Sequence, residues 1–273
     1  MTSVTVKVRA EVRPTILSSG LSRNGNLLLR MVDIHCHMLP ATDDGAKDWE
    51  TAEAMCRMAI ADGIKSVVCT PHANDTYRYD RSRHMETLTE LKKRVGDDLD
   101  LRLGCDFHLS FENIASALKD PDGFVIAGTD YLLVEFSDFA IPPPIFDALM
   151  RFVSMGITPI VTHPERNMML VRKPEMVLRL AKMGCAIQVT ANSFTGRWGG
   201  GARKTCEWLI QRDAVHIVAS DAHDLRSRPP ILSAAWEVVG QMYGEDLADV
   251  LFRANPEAVI YNKALPYQPV TRT

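Results

Sequence analysis

The chain has 273 residues, 46% of them hydrophobic and 24% charged, with a formal net charge of -3; this is a globular composition with apolar mass for a large core. That charge balance argues against an electrostatic nucleic-acid binder, and no apolar run approaches the about 18 residues of a membrane span. Six cysteines, at 36, 56, 69, 105, 185 and 206, include no C-x-x-C pair, so they read as buried thiols of a reducing, cytoplasmic setting and not as a disulfide framework.

Residues 1–30 carry four arginines, one lysine and one acidic residue, with no cleavage-site pattern. They read as an N-terminal extension, poorly ordered or foreign to the natural chain, and Met31 opens a single catalytic domain over 31–273. The first strand expected is MVDIHCH (31–37), followed by an amphipathic helix over 49–63 with Ala52, Met55, Cys56 and Ala59 on one face. SVVCT (66–70) is the second strand, then a helix over 84–95, then LRLGCDF (101–107) and YLLVEFS (131–137). PPP at 142–144 leads into a helix over 144–155; TPIVTH (158–163), a helix over 174–183 and CAIQVT (185–190) follow. TGRWGGGARK (195–204) reads as a flexible Gly-rich loop without a phosphate-loop pattern. A helix over 202–212 and the strand VHIVAS (215–220) come next. Strand-helix alternation predicts βα units and a mostly parallel sheet. About seven such units suit a closed or distorted barrel better than a short open sheet.

Imidazoles and carboxylates recur where these strands end. Asp33, His35 and His37 alternate, so the two histidines share a face. His72 follows VVC in TPH, Asp106 follows LRLGC, His163 follows TPIVT, and Asp221 and His223 follow HIVAS two apart. In parallel α/β folds the carboxyl ends of strands form the active-site face. Adding Asp44 from DDG gives eight candidate ligands. A mononuclear catalytic zinc needs about three, so the set predicts two or three divalent ions bridged by carboxylates, and its donors suit Zn, Fe or Mn. His84 and His216 stand outside the pattern. His216 reads as a structural histidine inside its strand, while His108 lies close enough to Asp106 to approach the site. Cys36 falls between the two histidines, yet alternation turns it to the opposite face, which favours a structural role.

DIHCHMLPATDDGAKDWE, TPH, GITPIVTHPER and VHIVASDAHDLRSRPP resemble the polymerase-and-histidinol-phosphatase (PHP) superfamily. More narrowly, they are similar to the bacterial capsule-locus tyrosine phosphatases of the CpsB/CapC type. The resemblance implies a distorted (β/α)7-type PHP barrel holding three metal ions, often manganese. Carried over motif by motif, the ligands are His35, His37, Asp44, His72, His163, Asp221 and His223, with Asp43 as a neighbour able to replace Asp44. Asp106 stands where the family usually has Glu, one methylene longer. Arg166, after His163 in HPER, and Arg228, before Pro229-Pro230, match family motifs, and a guanidinium fork suits phosphate oxygens. The implied activity is phosphoric monoester hydrolysis on a phosphotyrosine protein, such as the tail of a bacterial tyrosine kinase of the capsular or exopolysaccharide pathway; an oligomer is compatible with it. Two alternatives stay open: another PHP phosphoesterase acting on histidinol phosphate or a nucleotide, and a non-catalytic metal-binding regulatory module.

Overall fold

Met31–Cys36 (β1) is buried at every position, the pattern of a parallel strand covered on both faces. The computed structural model describes residues 30–126 and 128–269. The expected extension, apart from Arg30, lies outside them. Strands β2 (Ile64–Cys69), β3 (His72–Ala73), β4 (Asp100–Leu103), β5 (Asp106–His108), β6 (Tyr131–Glu135), β7 (Thr158–Thr162), β8 (Ala186–Thr190) and β9 (Ile217–Ala219) follow. Every pairing among them is parallel. They form a three-stranded sheet, β1-β2-β4, and a six-stranded sheet, β3-β5-β6-β7-β8-β9.

All seven expected strands are present, and two of them are interrupted. The second stops at Cys69 and resumes as β3 beyond Thr70-Pro71, where proline has no N–H for a ladder. The third breaks at Gly104-Cys105, between β4 and β5. Gly104 sits so close to β2 that a Cβ would fall 2.8 Å from the Val68 side chain. The Gly104 N–H donates to Cys69 O at 2.8 Å, and the Asp106 N–H to Pro71 O at 3.1 Å, so the two broken paths stay side by side. At the other edge, the His37 N–H donates to Ala222 O and the Asp221 N–H to His35 O, each at 2.8 Å. Asp33, fully buried, ties the same seam by accepting from the Ser220 N–H at 3.0 Å and the Ser220 hydroxyl at 2.5 Å.

The helices lie between strands and, for the last three, after β9. They are α1 (Trp49–Ala61), α2 (Arg81–Val95), α3 (Phe111–Lys119), α4 (Pro144–Ser154), α5 (Met168–Arg172), α6 (Glu175–Lys182), α7 (Ala191–Phe194), α8 (Gly199–Ile210), α9 (Ser233–Tyr243), α10 (Glu245–Asp249) and α11 (Asn255–Ile260). Capping explains several starts. Asp48 accepts from the Thr51 N–H, Asp80 from the Arg83 N–H and Ser110 from the Asn113 N–H, each satisfying a free amide of the first turn. In α1 the buried residues are Ala52, Met55, Cys56 and Ala59, as the periodicity predicts. The Gly-rich stretch differs from expectation: Gly199, Gly200 and Gly201 form the first turn of α8. Buried Ala202, Thr205, Cys206 and Leu209 anchor that helix, so packing outweighs the poor helix propensity of glycine. Phe107, Phe152, Phe194 and Phe252 are among the largest fully buried side chains of the main core. No helix of the described residues is long and apolar enough to cross a membrane.

Candidate metal centre

The strand ends deliver their polar side chains to one place. His35 and His37 are buried, and their Nε2 atoms stand 3.2 Å apart. His35 Nε2 lies 3.5 Å from Asp106 Oδ2 and 3.4 Å from Asp221 Oδ1, and His37 Nε2 is also 3.4 Å from Asp221 Oδ1. His72 faces Asp44 through Nε2 at 3.3 Å and Asp106 through Nδ1 at 3.1 Å. His223 Nε2 lies 3.5 Å from Asp44. Three overlapping groups have donor atoms within 4.8 Å of one another: His37, Asp44, His72 and His223; His35, His37 and Asp106; His72, Asp106 and Glu135. Each pair of groups shares one residue.

His163 stands beside these groups, its Nε2 3.6 Å from Glu135 and its ring 5.6 Å from that of His35. His163 and Asp221 both have positive φ, 33° and 51°. Left-handed backbone is uncommon for such residues and tends to cluster at functional sites. Arg166 and Arg228 converge from two loops on one oxygen, Asp221 Oδ2; Arg228 donates to it at 2.6 Å. The structure thus gathers His35, His37, Asp44, His72, Asp106, Asp221 and His223 with both arginines, and sets His163 at the margin.

The remaining histidines are elsewhere. His84 is buried in α2, edge-on to Tyr79 at 4.8 Å between ring centroids. His108, at the end of β5, belongs to none of the three groups. His216 is structural but precedes β9 instead of lying within it, because the pairing with β8 begins at Ile217. Its Nδ1 accepts from the Ile187 N–H at 3.1 Å. Cys36 is fully buried, and burial holds its thiol well above the usual range; a thiolate nucleophile is disfavoured there. All six cysteines are free and buried.

Supporting residues hold the imidazoles from behind. Asp43 Oδ2 accepts from His37 Nδ1 at 2.8 Å and from the His72 N–H at 3.1 Å. Gln188 Oε1 lies 3.0 Å from His35 Nδ1. With Nδ1 so engaged, both Nε2 atoms face the cluster, the arrangement common at metal sites. Asp43 and Asp44 therefore divide their work, the first behind His37 and the second within a group. Gly45 makes this turn feasible, since a Cβ there would fall 2.0 Å from His37 O. Glu135 was not anticipated, although it ends β6 in YLLVEFS. Gln188, mid-strand and 153 residues from His35, offers no sequence signal.

The electrostatics call for cations. Burial pushes the His35 imidazole down, but Asp106 and Asp221 outweigh it and lift it to about 9. His72 is likewise raised to about 11, against burial, by Asp106 and Asp44. Burial opposes ionisation of Asp106 and Asp221, yet His35 beside the first and Arg166 beside the second hold them well below the usual range. Burial and then Asp106 push Glu135 up to about 8. Both oxygens of Asp106 are buried without a well-formed hydrogen bond, as are His72 Nδ1 and His223 Nε2. A buried carboxylate so placed is costly unless a cation meets it. This donor set of imidazoles and carboxylates fits divalent metal ions.

The family model for capsular polysaccharide synthesis, CpsB/CapC, matches residues 31–261. The tyrosine-protein phosphatase YwqE of Bacillus subtilis (strain 168) is 30% identical over 249 residues, 89% of this chain and 97% of that protein. The tyrosine-protein phosphatase CpsB of Streptococcus pneumoniae is 29% identical over 244 residues, 86% of this chain and 100% of that protein. Among solved structures, one of the pair YwqE and CpsB, described as unique metal-dependent tyrosine phosphatases, superimposes with a TM-score of 0.81. It is 30% identical and covers 89% of this chain and 100% of that one. The lactonase Lmo2620 of Listeria monocytogenes shares the fold at a TM-score of 0.57 and 13% identity, over 87% of this chain and 96% of that one.

Proposed function

The chain belongs to the CpsB/CapC family of capsular polysaccharide synthesis, and on that premise we propose that it is a metal-dependent protein-tyrosine phosphatase, hydrolysing a phosphotyrosine monoester. Residues 31–273 serve as one catalytic domain. The seam between β1 and the segment after β9, with the two interrupted strand paths, supports reading the sheets as a distorted seven-stranded barrel. The observation that carries the function is the Asp106 carboxylate, buried without hydrogen bonds among imidazoles, with two arginines converging next to it on Asp221.

His35, His37, Asp44, His72, Asp106, Glu135, Asp221 and His223 would hold the metals, with His163 at the edge. Three overlapping groups support a count of three ions, and manganese, or else iron or zinc, suits the donors. Divalent cations bound there supply positive charge to the phosphate oxygens and acidify a water for attack on phosphorus. Arg166 and Arg228 would grip phosphate oxygens, exchanging part of their bond to Asp221 for bidentate contact with phosphate. Asp43 and Gln188 keep His37 and His35 from turning. The phenolic leaving group has an ordinary pKa near ~10 and departs without a strong general acid. A phosphotyrosine protein fits as substrate, the relatives being named tyrosine-protein phosphatases, and we propose the tail of a bacterial tyrosine kinase as that protein. The buried free thiols suit a cytoplasmic location.

The test is a substrate panel on the metal-loaded chain: phosphotyrosine peptide, histidinol phosphate and nucleotides. Phosphotyrosine is expected to be turned over fastest. His35→Ala and Asp221→Ala, checked as folded by circular dichroism, are expected to abolish turnover. Preference for histidinol phosphate, or near-normal rates in both folded variants, overturns the reading.

A further inference from the structure

A cavity of about 450 Å³ opens beside the cluster. Glu135 and His163 of the metal centre and its margin line it, together with Arg166, proposed to bind phosphate. Phe136, Met168, Val171 and Trp198 give it an apolar patch among polar neighbours such as Asp138, Glu165 and Asn167. Met168 and Trp198 are 51% and 38% exposed, a large apolar surface left bare next to charged groups. Trp198 does more than line this space. The Arg166 guanidinium stacks over its ring at 3.9 Å from the centroid, and Arg228 approaches the same ring at 5.5 Å. One indole therefore supports both arginines that converge on Asp221. Such stacking holds a planar guanidinium in orientation without using its hydrogen-bond donors.

We propose that this cavity is the leaving-group subsite, taking the aromatic ring of an aryl phosphate against Met168, Val171 and Trp198, with Trp198 also the platform that positions Arg166 and Arg228. The inference rests on the phosphatase reading and deepens it, because it says why an aryl monoester is chosen over an alkyl one. The volume lies in the range of small-molecule sites with apolar walls and a few directing polar groups. The cavity lining sets an apolar patch beside charged groups, the two parts an aryl phosphate presents.

Leaving-group reactivity would confuse a comparison of rates, so the test uses phosphonates, which have no leaving group. Phenylphosphonate and methylphosphonate are titrated calorimetrically into the manganese-loaded full chain. The wild type is expected to bind the phenyl compound at least about tenfold tighter, the scale of one buried aromatic contact. Trp198→Ala and Met168→Ser should each move the ratio toward one, and Trp198→Phe should restore most of it. Trp198→Ala should also weaken methylphosphonate, through the arginines, whereas Met168→Ser should not. Equal binding of the two compounds by the wild type, or a ratio that neither variant changes, overturns the subsite while leaving the phosphatase reading intact. Failure of the folded, loaded chain to bind either phosphonate removes both.

Discussion

Arg166 and Arg228 share one acceptor, Asp221, although they come from loops on different strands. Two guanidiniums offer more N–H donors than one carboxylate oxygen takes up, and the spare ones, Arg228 Nε among them, are available to an anion. Replacing either arginine by Ala is expected to lower turnover about 10²–10³-fold, the usual cost of one charged donor aimed at a transition state, with metal content unchanged. Lysine should recover only part, lacking the planar fork. A rise in KM at constant kcat would move the role to ground-state binding, and unchanged kinetics in both Ala variants would refute it. Most of the histidines and aspartates were legible in the sequence because chemistry-bearing residues repeat at strand ends, and the arginines through the family motifs that carry them. Glu135 obeys the same rule but stands alone in an apolar run, without a second ligand nearby to draw attention. Gln188 and Trp198 were not legible, because each acts through a partner remote in sequence: His35 lies 153 residues from Gln188, and Trp198 meets its arginines only through the fold.

At the scale of elements, periodicity located all seven strand paths and the buried face of α1, while local irregularities escaped it. The breaks at Thr70-Pro71 and Gly104-Cys105 depend on how neighbouring strands approach, and α8 begins inside a glycine run because later residues are buried. His216 illustrates the same limit one residue from a boundary. Expected inside a strand, it instead fastens the entry of β9 to β8, where its neutral Nδ1 accepts from the Ile187 N–H. Burial pushes this imidazole down to about 4 from an ordinary 6.5. Between those values the unfolded chain takes up a proton that the folded chain refuses. The His216 contribution is therefore complete above pH 6.5 and is lost as pH falls toward 4, to a maximum of about 3 kcal/mol. Urea unfolding of wild type and His216→Gln at pH 5 and pH 7.5 isolates it. The wild type should lose more stability than the variant on acidification, and equal losses would show that His216 titrates alike in both states.

For the whole molecule, the centre is where stability and function meet. Asp43, Asp44, Asp106, Glu135 and Asp221 gather around imidazoles, and Asp106 and Asp221 are essentially fully buried. Arg166 and Arg228 offset part of this charge. Without metals, the rest is met by protons on His35 and His72, which those carboxylates raise above their ordinary range. Metal binding would replace protons with cations that satisfy Asp106 and free the imidazole lone pairs, so binding and folding are linked. The ligands come from β1 and the loop after it, the starts of β3 and β5, the end of β6 and the segment after β9, so the ions would join strands that are distant in sequence. Chain treated with chelator is expected to melt below chain reloaded with manganese. At free metal 100-fold above Kd, one site contributes about 2.7 kcal/mol, which for a domain of this size is a rise of about 5–10 °C. Further sites add to it. Elemental analysis of the reloaded chain should find more than one ion per chain, because the seven donor residues of the three groups exceed what one ion uses. Glu135→Gln should lower that stoichiometry while leaving the chelated chain's melting temperature unchanged or higher, since it removes a buried acid from an already crowded cage. At most one ion after reloading, with no shift in melting, would show that these strand-end residues are a buried ionic network of the apoprotein and not a metal centre.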